Sequence, residues 1–229
     1  MSAPAAAMRA VRLTAFYGQA AALWGADVEI GTDEIVAVLG HNGAGKSTLH
    51  NTLARTHRSI TGEVWLAGTD ISGCTPSEVA RMGVSLVREG APVFGTLTIA
   101  EHLQLGMRLA QSRGLTPPPL EEVWSWFSAL ADRRNAKAAV LSGGQRQMLA
   151  ISTALMSRPA VLLLDEPSAG LAPSMAETVF IAIREICASG MSVLLAEQNL
   201  QWVTDFATRA YHLETGRVVD SDVLGQQTR

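Results

Sequence analysis

The sequence predicts an α/β domain built on a mostly parallel sheet. Short, almost wholly apolar runs recur: EIVAVLG (Glu34 to Gly40), VLLLDEP (Val161 to Pro167) and SVLLAEQ (Ser192 to Gln198). Runs of this length without polar alternation read as strands covered on both faces. Helical stretches separate them, as parallel strands require. Composition agrees, since 48% of the residues are apolar and 17% charged, which supports a well-buried core and excludes wholesale disorder.

The elements follow in order. Residues 1–7 read as a frayed, disordered extension, with Met8 an alternative start. Val11 and Leu13 alternate with Arg12 and Thr14, which predicts a short strand. Gly31-Thr32-Asp33 is a turn, followed by the Glu34 to Gly40 strand, a glycine-rich loop and a helix from Lys46 to about Arg55. EVWLAG (Glu63 to Gly68) is a further strand. From about Ser72 to Ala154 the pattern is largely helical and more polar. Pro117-Pro118-Pro119 interrupts it, and a helix resumes over Leu120 to Ala131. Val123, Trp124, Phe127 and Leu130 recur near helical spacing and read as a packing face. After the two later apolar strands, YHLETGRVVD reads as strand, turn at Thr215-Gly216, strand.

A formal net charge of -3 with no block of Lys or Arg argues against nucleic acid bound on a broad basic face. Cys74 and Cys187 are far apart and lack metal-ligand spacing, so two reduced thiols are expected rather than structural zinc. The N-terminal stretch lacks a charged n-region and a long apolar run, and no segment approaches the roughly 20 apolar residues that span a bilayer. A role at a membrane would therefore run through partners.

GHNGAGKST fits G-x-x-x-x-G-K-[ST] through Gly40, Gly45, Lys46 and Ser47, with His41, Asn42, Gly43, Ala44 and Thr48 completing the loop. Glycines let backbone N–H groups close around phosphate oxygens, and the helix N-terminus adds positive partial charge. Lys46 can reach the β and γ phosphates, and the Ser47 hydroxyl can ligate Mg2+. A strand enters and a helix leaves, as the motif demands. The loop alone does not choose between ATP and GTP. VLLLDE places Asp165 and Glu166 at the C-terminal end of a buried strand, where ligands bind in such sheets. Asp165 fits a second Mg2+ partner acting through water, and Glu166 a group that polarises the attacking water. An acidic pair capping the next helix is the structural alternative.

LSGGQ (Leu141 to Gln145), just ahead of the helix RQMLAISTALM, joins these two motifs in order. On the three together the chain resembles the nucleotide-binding subunit of an ATP-binding-cassette transporter. The resemblance implies one cassette over residues 8–229. Its RecA-like core of about 8–88 and 156–229 would carry an antiparallel β portion and an inserted helical subdomain of about 89–155. It implies ATP and Mg2+ as ligands, and a head-to-tail pair in which Ser142, Gly143, Gly144 and Gln145 act on the partner's ATP. Ser142 would also cap its helix. Tyr17, in FYG, matches the aromatic that stacks on adenine; a strand-end aromatic is the alternative.

VREGAPVFGTLTIAEHL (Val87 to Leu103), DEPSAGLAP (Asp165 to Pro173) and AEQN (Ala196 to Asn199) are similar to one branch, the smaller of the two ATPases in bacterial branched-chain amino acid importers. In that branch a Glu takes the usual loop-glutamine place, here Glu89, and a Gln takes the usual switch-histidine place, here Gln198. Glu89 is expected near Mg2+ through water. Gln198 is expected to position the γ-phosphate and Glu166 without carrying charge. Ala172 and Ala169 depart from the general pattern, while Arg88 and Ala91-Pro92 depart from the branch in a segment expected to face the membrane subunit. The resemblance implies a second, different cassette, two integral membrane permease subunits and, indirectly, an extracytoplasmic solute-binding protein. It implies a peripheral place on the cytoplasmic face of the inner membrane. A urea or amide importer, whose ATPase tends to keep glutamine at the Glu89 position, and a non-transport cassette are the alternatives.

Overall fold

The computed structural model describes residues 6–224. Two sheets and eight α-helices form in the order β1 (Ala6–Tyr17), β2 (Ala20–Gly31), β3 (Ile35–Leu39), α1 (Lys46–Leu53), β4 (Ile60–Leu66), β5 (Thr69–Asp70), α2 (Pro76–Met82), β6 (Val84–Val87), α3 (Ile99–Ser112), α4 (Leu120–Trp126), α5 (Ser128–Ala131), α6 (Gly143–Leu155), β7 (Val161–Asp165), α7 (Pro173–Ala188), β8 (Ser192–Glu197), α8 (Leu200–Phe206), β9 (Arg209–Glu214) and β10 (Arg217–Val223). Ala6 and Ala7, expected in a disordered extension, begin β1, with Ala6 paired to Gly31. The rest of that expectation lies outside the described residues.

The larger sheet has the order β10-β9-β3-β8-β7-β6 and is parallel except for the β9–β10 hairpin. The smaller sheet, β2-β1-β4-β5, is antiparallel throughout. Every residue of β3, β7 and β8 is buried, as their unbroken apolar runs predict. Val36, Val38, Leu163 and Leu194 point into one core, shared with Leu49 of α1 and with β1 and β2. Ile35, Ala37, Leu162, Leu164, Val193 and Leu195 point into the other. That second core also takes Leu103 of α3, Val123, Phe127, Leu130, Leu149 of α6 and Phe180 of α7, so the helical stretch shares its packing with the sheet. Trp202 of α8 stacks on Phe180 with ring centroids 4.8 Å apart.

Four local outcomes differ from expectation. The Leu120 to Ala131 helix breaks at Phe127, whose φ of -132° and ψ of 63° leave the helical region while its ring stays buried. Three strands, β2, β5 and β6, appear where none was expected, β5 being only two residues long. In β2, Gly25 at φ 57° and several register shifts break the two-residue alternation. β6 is four residues long and is recruited by pairing with β7.

Leu163 is fully buried at the middle of β7. Leu163→Ala is expected to lower unfolding free energy by about 3 kcal/mol in denaturant titration, within the range of core truncations. A loss below about 1 kcal/mol would contradict this account of the core.

Candidate nucleotide site

Three adjacent strands end side by side, and the site is built from the residues just past them. β8 lies between β3 and β7, with Leu39 opposite Glu197 and Asp165 opposite Ala196. Gly40 follows β3, Gln198 follows β8 and Glu166 follows β7. Gln198 therefore emerges between the glycine-rich loop and the acidic strand end.

The loop from Gly40 to Thr48 wraps into α1. A Cβ at Gly40 would lie 2.5 Å from the Leu213 carbonyl oxygen of β9, so only glycine allows that approach. Gly45 sits at φ 109° as the N-cap of α1, and a Cβ there would meet the Ala22 carbonyl oxygen at 2.9 Å. No side chain caps α1, which leaves its first N–H groups free to face an anion. The β9–β10 turn backs the loop: Gly216 N donates to Ala44 O at 2.8 Å, and Trp24 N donates to Gly216 O at 2.8 Å.

Lys46 is only 4% exposed. Its ammonium donates to Gly40 O at 2.6 Å and His41 O at 3.2 Å, and pairs with Glu166 Oε1 at 3.0 Å. Three donors thus meet three acceptors. Glu166 has a left-handed backbone, φ 47°, and its N–H donates to Ala196 O of β8 at 3.0 Å. Gln198 Nε2 donates to both Glu166 oxygens, at 2.8 and 2.7 Å, and to Asn42 Oδ1 at 2.6 Å. One amide therefore joins the phosphate-type loop to the acidic strand end.

A cleft of about 430 Å³ is lined by Asn42, Gly43, Gly45, Lys46, Ser47, Thr48, Glu89 and Glu166 among the expected residues, while Gly40, His41, Ala44, Asp165 and Gln198 do not line it. Ala21, Ala22, Thr215 and Gly216 line it too. These four escaped the sequence reading, in which Thr215-Gly216 signalled only a hairpin turn. Tyr17 lies outside the lining; it is 58% exposed, with its ring edge-on to His57 at 4.6 Å between centroids. Ser142, Gly143, Gly144 and Gln145 are also outside it. Ser142 Oγ accepts from Gln145 N at 3.3 Å and Gln145 Oε1 accepts from Ser142 N at 3.1 Å, a capping box that opens α6 toward solvent.

The residues present fit a divalent cation. Asp165 is 3% exposed and its Oδ1 is buried without a hydrogen-bond partner. That oxygen and the exposed Ser47 hydroxyl are hard donors. No group of three or more His, Cys, Asp or Glu side chains gathers at a metal-sized position among the described residues. A cation here would take its remaining ligands from phosphate and water, as Mg2+ does.

The model for the family described as ABC transporter matches residues 23–169. The chain belongs to the ABC transporter family. Membership makes it a transport-coupled ATPase. This cassette is 39% identical over 211 residues to the high-affinity branched-chain amino acid transport ATP-binding protein BraG of Pseudomonas aeruginosa, covering 92% of this chain and 90% of that one. It is 34% identical over 212 residues to the probable branched-chain amino acid transport ATP-binding protein LivF of Archaeoglobus fulgidus, covering 92% and 89%. A crystal structure of a nucleotide-free ATP-binding cassette from an ABC transporter superposes with a TM-score of 0.80 at 25% identity, covering 96% of this chain and 92% of that one.

His50 of the cassette is fully buried, with Nδ1 3.1 Å from Lys46 O and Nε2 3.3 Å from Leu194 O. Burial holds its imidazole below the ordinary histidine value of 6.5, against the upward pull of Asp165. Below that value the unfolded chain takes up a proton that the folded chain resists, so folding stability falls as pH drops. His50→Leu is expected to flatten the loss of denaturation midpoint between about pH 7 and pH 5. An unchanged slope would remove His50 from that role.

Proposed function

We propose that this cassette hydrolyses ATP to energise the uptake of branched-chain or other hydrophobic amino acids. The names of the BraG and LivF relatives support the solute class. The observation that carries the chemistry is the meeting of Lys46, Asn42, Glu166 and Gln198 at three adjacent strand ends.

In this reading the backbone from Gly40 to Thr48, with His41, Asn42, Gly43, Ala44 and Gly45, cradles the phosphates. Lys46 exchanges its contact with Glu166 for the β and γ phosphates. Glu166, released from Lys46, polarises the attacking water. Gln198 keeps Glu166 and the γ-phosphate in register through hydrogen bonds and carries no charge. Asp165 and Ser47 would hold Mg2+, with Glu89 reaching it through water, and the cation would supply charge neutralisation at the phosphate oxygens. Tyr17 stacks on adenine by swinging toward the cleft from its exposed position. Ser142, Gly143, Gly144 and Gln145 serve the ATP of a second cassette, their helix N-terminus facing its γ-phosphate.

The same proposal covers the assembly. Residues of about 89–155 form the helical subdomain between core segments of about 8–88 and 156–229. No helix among the described residues is long and apolar enough to cross a membrane. The cassette would sit peripherally on the cytoplasmic face of the inner membrane, against two permease subunits and a second, different cassette, with an extracytoplasmic binding protein delivering solute. Phe94 is 64% exposed beside an apolar groove of about 450 Å³ that includes Leu86, Val93, Leu105 and Leu109, a surface that suits a permease segment.

Two results would test this reading. Capture of the chain from gently solubilised membranes is expected to bring down two polytopic proteins and a second cassette; nucleic-acid or ribosomal partners instead would defeat the transport assignment. In the captured assembly, Gln198→Ala is expected to lower ATP turnover about tenfold, the scale of one hydrogen bond to a charged group. Unchanged turnover would refute the role given to Gln198.

A further inference from the structure

Glu197 is a buried carboxylate that the mechanism above does not use. It ends β8, is 3% exposed, and does not line the nucleotide cleft. Its oxygens accept four hydrogen bonds. Oε1 takes Ser168 Oγ at 2.6 Å and Ser168 N at 3.2 Å, while Oε2 takes Gln198 N at 3.1 Å and Asn199 N at 3.5 Å. Ser168 stands two residues past Glu166, on the loop after β7. One carboxylate therefore ties the loop that carries Glu166 to the loop that carries Gln198.

We infer that Glu197 is a positioning residue for hydrolysis, a brace that sets the spacing between the Glu166 carboxylate and the Gln198 amide. The inference rests on the roles proposed above for those two residues. Its chemistry is specific. All four partners are donors, and a carboxylate offers only acceptors. A glutamine of the same shape would turn an NH2 group toward one of the two donor pairs and push its loop away.

The remaining ties between the loops are weaker constraints on the side chains. Glu166 N on Ala196 O fixes a backbone point, and Gln198 Nε2 on Glu166 is the contact being positioned. The phosphate loop is held independently, by Gly216 N on Ala44 O and by the close packing of Gly40 against Leu213. Loss of the brace should therefore spare nucleotide binding and lower turnover.

The test uses the full chain assembled with its membrane partners, measuring kcat and KM for ATP. Glu197→Gln is expected to lower kcat about tenfold, the scale on which outer-shell partners of a reacting site act, with KM within about twofold. Ser168→Ala, a gentler change that removes one of the four bonds, is expected to lower kcat by about two- to threefold with KM unchanged. Combining Glu197→Gln with Gln198→Ala should cost clearly less than the product of the single losses, because both act on one contact. Unchanged kcat in Glu197→Gln, full multiplicativity, or parallel loss of KM and thermal stability would each overturn the inference. Glu166→Gln serves as the reference. If it abolishes turnover while Glu197→Gln does not alter kcat, this inference alone fails. If Glu166→Gln turns over normally, the proposed site roles fail and the brace falls with them.

Discussion

Lys46 is a buried cation, and much of the site follows from how its charge is satisfied. An ammonium at 4% exposure cannot remain unpaired without a cost of several kcal/mol. Its donors are taken by Gly40 O, His41 O and the Glu166 carboxylate. Two of those acceptors belong to the loop that curls around it, so the lysine helps shape that loop. The third is the group proposed to act on water. The Glu166 carboxylate occupies a charge position that would also suit a phosphate, and in the proposed reading the two compete for one ammonium.

That competition is possible because the sheet order brings three strand ends together. β3 supplies the loop, β7 the carboxylate, and β8, lying between them, the amide that joins the two. A glutamine suits this middle place. One NH2 group reaches Asn42 and both Glu166 oxygens, a contact set that asks for donors and not for positive charge. The residue that departs from the general family pattern is thus fully engaged in the structure, which accords with a positioning role rather than a lost one.

Much of this was legible in the sequence. The buried strands announce themselves because both faces of β3, β7 and β8 are covered, so apart from Ser192 and the strand-end Asp165 and Glu197 their residues are apolar without alternation. The glycine-rich loop is legible because Gly40 and Gly45 answer steric demands that no other residue meets. β2, β5 and β6 were not legible: Gly25 and the register shifts erase the period of β2, and the other two are too short to carry a period. Phe127 hid a helix break behind good helical spacing, since its ring packs correctly while its backbone does not continue the helix. The cleft residues Ala21, Ala22, Thr215 and Gly216 and the brace at Glu197 depend on contacts between segments far apart in the chain. In the sequence Glu197 is no more than the glutamate near the end of the apolar run SVLLAEQ.

Equilibrium binding of ATP to wild-type and Glu166→Gln chains, with turnover measured on the same preparations, tests the competition for Lys46 most directly. Removing the charge at residue 166 weakens its hold on the ammonium, so the variant should bind ATP more tightly and lose turnover. Weaker binding by the variant, or turnover at the wild-type rate, would contradict the account.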